Sequence, residues 1–187
     1  MNDDAQLIDA SLTGDSVAFG HLITKYQDRL YNTLVHVVGS PEEARDVAQD
    51  AFVQAFVKLD TFHGAAAFYT WLYRIAFNIA VSRRRRHKPT VSIDLLRERS
   101  GDEPSSRDAA PSDRLEQQER VSQVQAALAA LSEDYRTVIV LREIDGCCYE
   151  TIAEVLNLPI GTVRSRLHRA RLELREQLRE VVQEDVQ

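Results

Sequence analysis

Residues 149–178 read YETIAEVLNLPIGTVRSRLHRARLELREQL, and this stretch decides the fold. Ile152, Val155 and Leu156 fall at the spacing of one helix face, with Ala153 small enough for a close helix crossing. Asn157 stands where the chain must turn, and asparagine tolerates positive φ better than most residues. Leu158-Pro159-Ile160-Gly161 completes the turn, and Thr162 is placed to cap a second helix. In that helix Val163, Leu167, Ala170, Leu174 and Leu178 face inward, which leaves Arg164, Ser165, His168, Arg169 and Arg171 outward near its start. This is a helix-turn-helix pattern. The start of such a second helix meets base edges in the major groove while flanking cations and unpaired N–H groups grip phosphate. Arg164 or Arg169 can pair with guanine through two hydrogen bonds, and Ser165 and His168 can make shorter contacts. A merely solvated charged helix would not also satisfy the demands of core and turn.

The whole-chain charge points the other way. The 187 residues carry a formal charge of -6, with a pI of about 5.4, which taken alone argues against nucleic acid. The charge is uneven, however. Residues 61–90 hold six basic and no acidic side chains, and residues 161–172 hold Arg164, Arg166, Arg169 and Arg171 with no acid. The acids concentrate in residues 1–60 and 121–160. Of the 23 basic side chains 20 are arginine, whose planar fork suits phosphate and base edges. An acidic chain can therefore carry two local DNA footprints.

Upstream, the pattern is helical throughout. Phe19, Leu22, Ile23, Tyr26, Leu30, Leu34 and Val38 repeat at three and four, and Gly39 ends the run. Ser40-Pro41-Glu42-Glu43 announces the next helix with a cap, a first-turn proline and a capping-box glutamate. Its inward stripe is Ala44, Val47, Ala48, Ala51, Phe52, Ala55, Phe56 and Leu59; its other side shows Asp46, Gln49, Asp50 and Gln54. After the loop Phe62-His63-Gly64-Ala65-Ala66-Ala67, the segment 68–80 runs straight into Arg83-Arg84-Arg85-Arg86. Trp71, Leu72, Ile75, Ala76 and Ile79 form a core stripe, which leaves less room inside for Phe68, Tyr69, Tyr73 and Phe77. Aromatic rings among cations suit single-stranded nucleic acid, where bases stack on rings and arginine neutralises phosphate; packing in a small core is the alternative.

Residues 87–112, with Lys88-Pro89, Pro104-Ser105-Ser106 and Ala109-Ala110-Pro111, have little periodicity and read as a flexible linker. Helix resumes from Ser112-Asp113 with Leu115, Val121, Val124, Leu128 and Leu131 inward, and Ser132-Glu133-Asp134 caps one that uses Val138, Ile139, Leu141 and Ile144 and stops at Gly146. The expectation is an all-α chain of two small helical domains, 1–86 and 113–187. No apolar run has the length of a membrane span, and the acidic start, Met1-Asn2-Asp3-Asp4, is unlike a secretory signal, so a cytoplasmic protein is expected. The adjacent Cys147 and Cys148 fit neither zinc-ligand spacing nor an unstrained disulfide; no metal or cofactor is indicated, and they read as thiols at a helix entrance.

The string Phe68-Tyr69-Thr70-Trp71-Leu72-Tyr73-Arg74-Ile75-Ala76, with Gly161-Thr162-Val163-Arg164-Ser165-Arg166 and His168-Arg169-Ala170-Arg171, closely resembles the extracytoplasmic-function (ECF) group of bacterial RNA polymerase sigma factors, particularly the envelope-stress type. The likeness runs from about residue 12 to 178, linker apart. The resemblance implies a non-enzymatic transcription initiation factor that brings core RNA polymerase to promoters. It assigns 1–86 to polymerase binding and to recognition and melting of the -10 element, and 113–187 to the -35 element. It makes Asp46, Gln49, Asp50 and Gln54 a polymerase interface. It makes Phe62, His63, Trp71, Arg74 and Asn78, with Arg83 and Arg84 beside them, contacts to single-stranded -10 DNA. Duplex -35 DNA would meet Arg164, Ser165, Arg166, His168, Arg169 and Arg171, with Tyr149 and Glu150 near the backbone. An anti-sigma factor is the further partner it implies.

The chain departs from the family at Gly146-Cys147-Cys148-Tyr149, where Gly-Leu-Ser-Tyr is usual; sulfur in place of the cap oxygen costs about 0.5 to 1 kcal/mol of local helix stability. A stand-alone helix-turn-helix regulator would account for 149–178 but not for the aromatic helix or Arg83–Arg86. A recombinase or nuclease finds no metal-binding acid cluster and no nucleophile with a partnered base.

Overall fold

The computed structural model describes the backbone of residues 3–86 and 111–184 and the side chains of 3–85 and 121–179, so most of the expected linker lies outside the described residues. Eight α-helices are described, and among these residues there is no strand. The first half holds α1 (Asp3–Leu12), α2 (Ser16–Val38), α3 (Pro41–Val57) and α4 (Phe68–Arg86), with a short 3-10 turn at Leu59–Thr61. The second holds α5 (Pro111–Ala130), α6 (Glu133–Ile139), a π-helical turn Val140–Ile144, α7 (Tyr149–Leu156) and α8 (Ile160–Glu184).

Local chemistry sets these boundaries. The Asp15 carboxylate accepts the Val17 and Ala18 N–H groups and opens α2; Gly39, at φ 79°, closes it in the left-handed conformation. The Ser40 hydroxyl accepts the Glu43 N–H at 3.3 Å and Pro41 occupies the first turn of α3. Asn157 takes φ 51°, the left-handed position the turn requires. Cys148 does cap α7 through sulfur, accepting the Thr151 N–H at 3.5 Å.

Five sequence expectations give way at this level. α8 begins at Ile160, and Thr162 donates its own N–H to the Pro159 carbonyl rather than capping from outside. Ser132 makes no side-chain cap; its carbonyl takes the Tyr135 and Arg136 N–H groups. The π-helical turn, closed by Asp145 N–H on the Val140 carbonyl, shifts the inward stripe by a residue, so Ile144 faces solvent. Val124 is exposed as well, since among the described side chains of α5 it is Ala127 and Leu128, near its end, that are buried, and Phe56 is 51% exposed at the rim of its helix, edge-on to Phe19 at 5.0 Å.

The core of the first half packs Leu22, Leu30 and Leu34 of α2 against Ala44, Val47, Ala51 and Ala55 of α3, all inaccessible to solvent, with Leu72 and Ala76 of α4 closing it. Small alanines along α3 let the three helices approach closely. In the second half Val138, Ile139, Leu141, Ile152, Val163, Leu167 and Ala170 do the same. The halves are not independent. One contiguous buried cluster runs through both, with α4 against α7 and α2 against the π-helical turn. Phe68, Tyr73 and Phe77 are all buried, Phe68 among Tyr26, Phe62 and Trp71 of the first half.

Candidate nucleic-acid interface

α7 and α8 build the surface predicted to meet duplex DNA. Val163, Leu167 and Ala170 pin one side of α8 into the core, so Arg164, Ser165, His168, Arg169 and Arg171 are turned outward along its first three turns. The outward cations divide by their partners. Arg166 pairs with Asp134 at 2.8 Å, and Arg171 holds Glu143 with two nitrogens at 2.7 and 3.1 Å, which pushes its pKa up. Arg164, His168 and Arg169 stand exposed on the remaining arc. Tyr149 is half-buried with the Arg142 guanidinium 5.0 Å from its ring centre. Glu150 is exposed, and its own backbone N–H, then the Cys148 thiol, hold its carboxyl below the ordinary range.

The second surface follows α4. Arg74 and Asn78 are exposed one turn apart, and Ser82, the next step along the stripe, returns its hydroxyl to the Asn78 carbonyl at 2.7 Å. Trp71 is not on this stripe. It is 9% exposed, with Phe62 at 5.3 Å and Phe68 at 5.8 Å between ring centres, and Phe62 meets Phe68 edge-on at 5.7 Å. This aromatic triangle anchors the loop to the helix from beneath. The loop itself stays outside: His63 and Gly64 are exposed, and Gly64, at φ 71°, turns the chain. Of the predicted -10 contacts, His63, Arg74 and Asn78 are thus accessible, Phe62 is half-buried and Trp71 is a core residue.

Arg83 and Arg84 have partners within the chain. Arg83 lies across α3, donating to Asp50 at 2.5 Å and Asp46 at 3.4 Å, and Arg84 meets Glu133 of the second half at 3.0 Å. The acidic face of α3 is otherwise as expected, with Asp46, Gln49 and Gln54 exposed. It continues into apolar side chains that the sequence reading missed: Val53, Phe56 and Val57 are all exposed, Val57 by 72%. Their signal was present, since Val53 and Val57 sit four apart off the inward stripe.

No helix among the described residues is long and apolar enough to cross a membrane. Residues 22–90 match the family model described as Sigma-70 region 2, and residues 122–174 the one described as Sigma-70, region 4. The ECF RNA polymerase sigma factor SigW of Bacillus subtilis is 38% identical over 175 residues, 90% of this chain and 92% of that protein. The RNA polymerase sigma-H factor of Pseudomonas aeruginosa is 39% identical over 186 residues, 97% of this chain and 96% of that protein. Among solved structures, CnrH in complex with the cytosolic domain of CnrY superposes with a TM-score of 0.70 at 28% identity, covering 96% of this chain and 99% of CnrH. The sigma factor RpoE in complex with the anti-sigma factor NepR, from Bartonella quintana, gives 0.69 at 26% identity, covering 86% and 96%.

Proposed function

The chain belongs to the ECF group of RNA polymerase sigma factors, and from that membership we propose which of its surfaces performs each part of promoter-directed initiation. The observation that carries the proposal is the division of α8, whose buried Val163, Leu167 and Ala170 fix Arg164, Ser165, His168 and Arg169 outward at the helix start. That face reads the -35 element as duplex. Arg166 and Arg171, tied to Asp134 and Glu143, brace the helix and supply field to the phosphates rather than base contacts.

In the first half, His63 on its loop and the Arg74 and Asn78 stripe receive the single strand of the -10 element. Phe62, Trp71 and Phe68 set the height of the loop above that stripe. Core polymerase docks on α3, where Asp46, Gln49, Asp50 and Gln54 supply polar and acidic contacts and Val53, Phe56 and Val57 supply buried area. Exposed apolar side chains rimmed by polar ones are the ordinary composition of a protein interface. An anti-sigma partner is inferred as well, since RpoE of Bartonella quintana was solved with one. The place of action is that of core polymerase, the cytoplasm.

Run-off transcription tests this reading. Purified full-length chain added to core polymerase, with no other sigma factor, should produce transcripts from discrete starts on genomic DNA. Absence of specific starts with an active polymerase preparation sinks it.

A further inference from the structure

α1 takes no part in the functions assigned so far. The match to Sigma-70 region 2 begins at residue 22, and neither promoter surface nor the acidic face of α3 includes a residue of Asp3–Leu12. The helix is nevertheless held by an arrangement that burial of a carboxylate demands, with both oxygens partnered. Asp4 is 7% exposed; its Oδ1 accepts from Lys25 Nζ and its Oδ2 from the Tyr26 hydroxyl, each at 2.5 Å. Ile8, one turn on, is buried. α1 lies against α2 and also against the 3-10 turn Leu59–Thr61, which leads into the loop assigned to the -10 element.

From Tyr26 the contacts continue into the base of that loop. The Tyr26 ring lies 5.6 Å from the ring of Phe68, the first residue of α4. Phe68 in turn lies 5.7 Å from Phe62 and 5.8 Å from Trp71. Phe62 and Phe68 bracket the segment 63–67, so the loop leaves and re-enters the fold through one pair of touching rings. Trp71 supports both rings of the pair, and Tyr26 supports Phe68. The Tyr26 ring cannot swing without breaking the bond from its hydroxyl to Asp4, which is charge-assisted and buried.

We propose that α1 is a positioning element for -10 recognition: Asp4 fixes the Tyr26 ring, that ring fixes the Phe62–Phe68 base, and the base sets where His63 and its neighbours meet the strand. The inference rests on the -10 assignment made above. Contacts to bases and to phosphates respond differently to a displaced loop. Reading a base takes placement to within about 0.5 Å. The attraction of Arg74 for phosphate falls only as the inverse of distance, and Arg74 stands on α4 rather than on the loop. Asp4 and Tyr26 therefore govern discrimination among -10 bases, while the salt-dependent part of the affinity stays with Arg74.

The test uses the full chain and the variants Tyr26→Phe, Asp4→Ala and the two combined. Tyr26→Phe keeps the ring and removes only the hydroxyl, so it stays folded even if Asp4→Ala, which strands that hydroxyl in the core, does not. Discrimination is measured on single-stranded oligonucleotides carrying the -10 element of a start mapped by run-off transcription, and on the same strands with each base replaced in turn. Each single variant, with unchanged helical circular dichroism, should lower the ratio of matched to substituted affinity by at least about fivefold and leave the salt slope unchanged. The double variant should lose no more than the larger single loss, because both changes break one bond. Trp71, the single tryptophan, reports on the loop base without DNA: in each variant its emission should shift to the red and its quenching by acrylamide should rise. A folded Tyr26→Phe chain with wild-type discrimination and wild-type Trp71 emission overturns the proposal, as does a double variant whose losses multiply. A wild type that does not distinguish -10 sequences overturns the -10 assignment instead, and the Trp71 emission still decides whether Asp4 holds the loop base.

Discussion

Arg83 Nη2 donates to Asp50 Oδ2 at 2.5 Å, so a member of the arginine run assigned to DNA is bound to the acidic face assigned to polymerase. The Asp50 and Asp46 carboxylates both raise the Arg83 pKa. Neutralising Arg83 as Arg83→Gln should leave the salt dependence of single-stranded -10 binding nearly unchanged, whereas Arg74→Gln should lower the slope of log K against log salt by about 0.7. Salt titrations of oligonucleotide binding read both. A fall of the same size for Arg83→Gln would return that residue to the phosphate contacts.

On α8 the two kinds of arginine should separate cleanly. Arg164→Ala should lose about 1 to 3 kcal/mol of discrimination between a matched and a scrambled -35 sequence. Arg166→Ala, whose cation is engaged by Asp134, should leave the discrimination intact and weaken both sequences equally. Competition binding on paired duplexes measures this.

Trp71 should act on stability before it acts on DNA. Trp71→Ala empties a site closed by Phe62 and Phe68 and should cost about 3 to 5 kcal/mol in urea unfolding, and Trp71→Phe much less. Equal losses of -10 binding in Trp71→Phe and Trp71→Ala, with the Phe variant fully stable, would instead give the indole a direct contact.

Cys148→Ser replaces a sulfur cap on α7 with a hydroxyl. The Thr151 N–H then gains a better acceptor, and stability should rise by about 0.5 to 1 kcal/mol in the same assay.

The buried acids set the response to alkali. Burial first, and then the hydrogen bond to Asp145, push the Cys147 thiol from 9.0 up to about 12; burial and Asp4 push Tyr26 from 10.0 to about 12. Both pKa values are raised by folding, so the stability tied to their protonated forms is complete below pH 9 and is lost as the pH climbs from 9 through 12. Urea midpoints should therefore fall across that window, and Cys147→Ala should flatten the earlier part of the decline. For the same reason a thiol reagent at pH 8 should modify exposed Cys148 quickly and Cys147 slowly.

Periodicity made the helices legible because each buries its own stripe: Leu22, Leu30 and Leu34, or Val163, Leu167 and Ala170, recur at helical intervals whatever surrounds them. Caps at Ser40, Cys148 and Asn157 were legible because they act over three or four residues. Ile144 was misplaced because a π-helical turn adds a residue that no regular period contains, and Phe56 because its neighbours fill the core without it. In the candidate site, Arg164, Ser165, His168 and Arg169 could be named from the opposite face of one helix. The distinction between them and Arg166 or Arg171 depends on Asp134 and Glu143, which come from other elements.

By itself, then, the sequence determined the all-helical class, the helix-turn-helix and the two basic footprints within an acidic chain, because each depends on residues within a few turns of one another. Only the tertiary structure decided that Tyr73 is core, that Arg83 answers to Asp50, and that Arg29 meets Asp145 across a separation of 116 residues. Those outcomes depend on which distant side chain arrives to cover a given face, and a pairing between distant residues leaves no period in the chain that carries it.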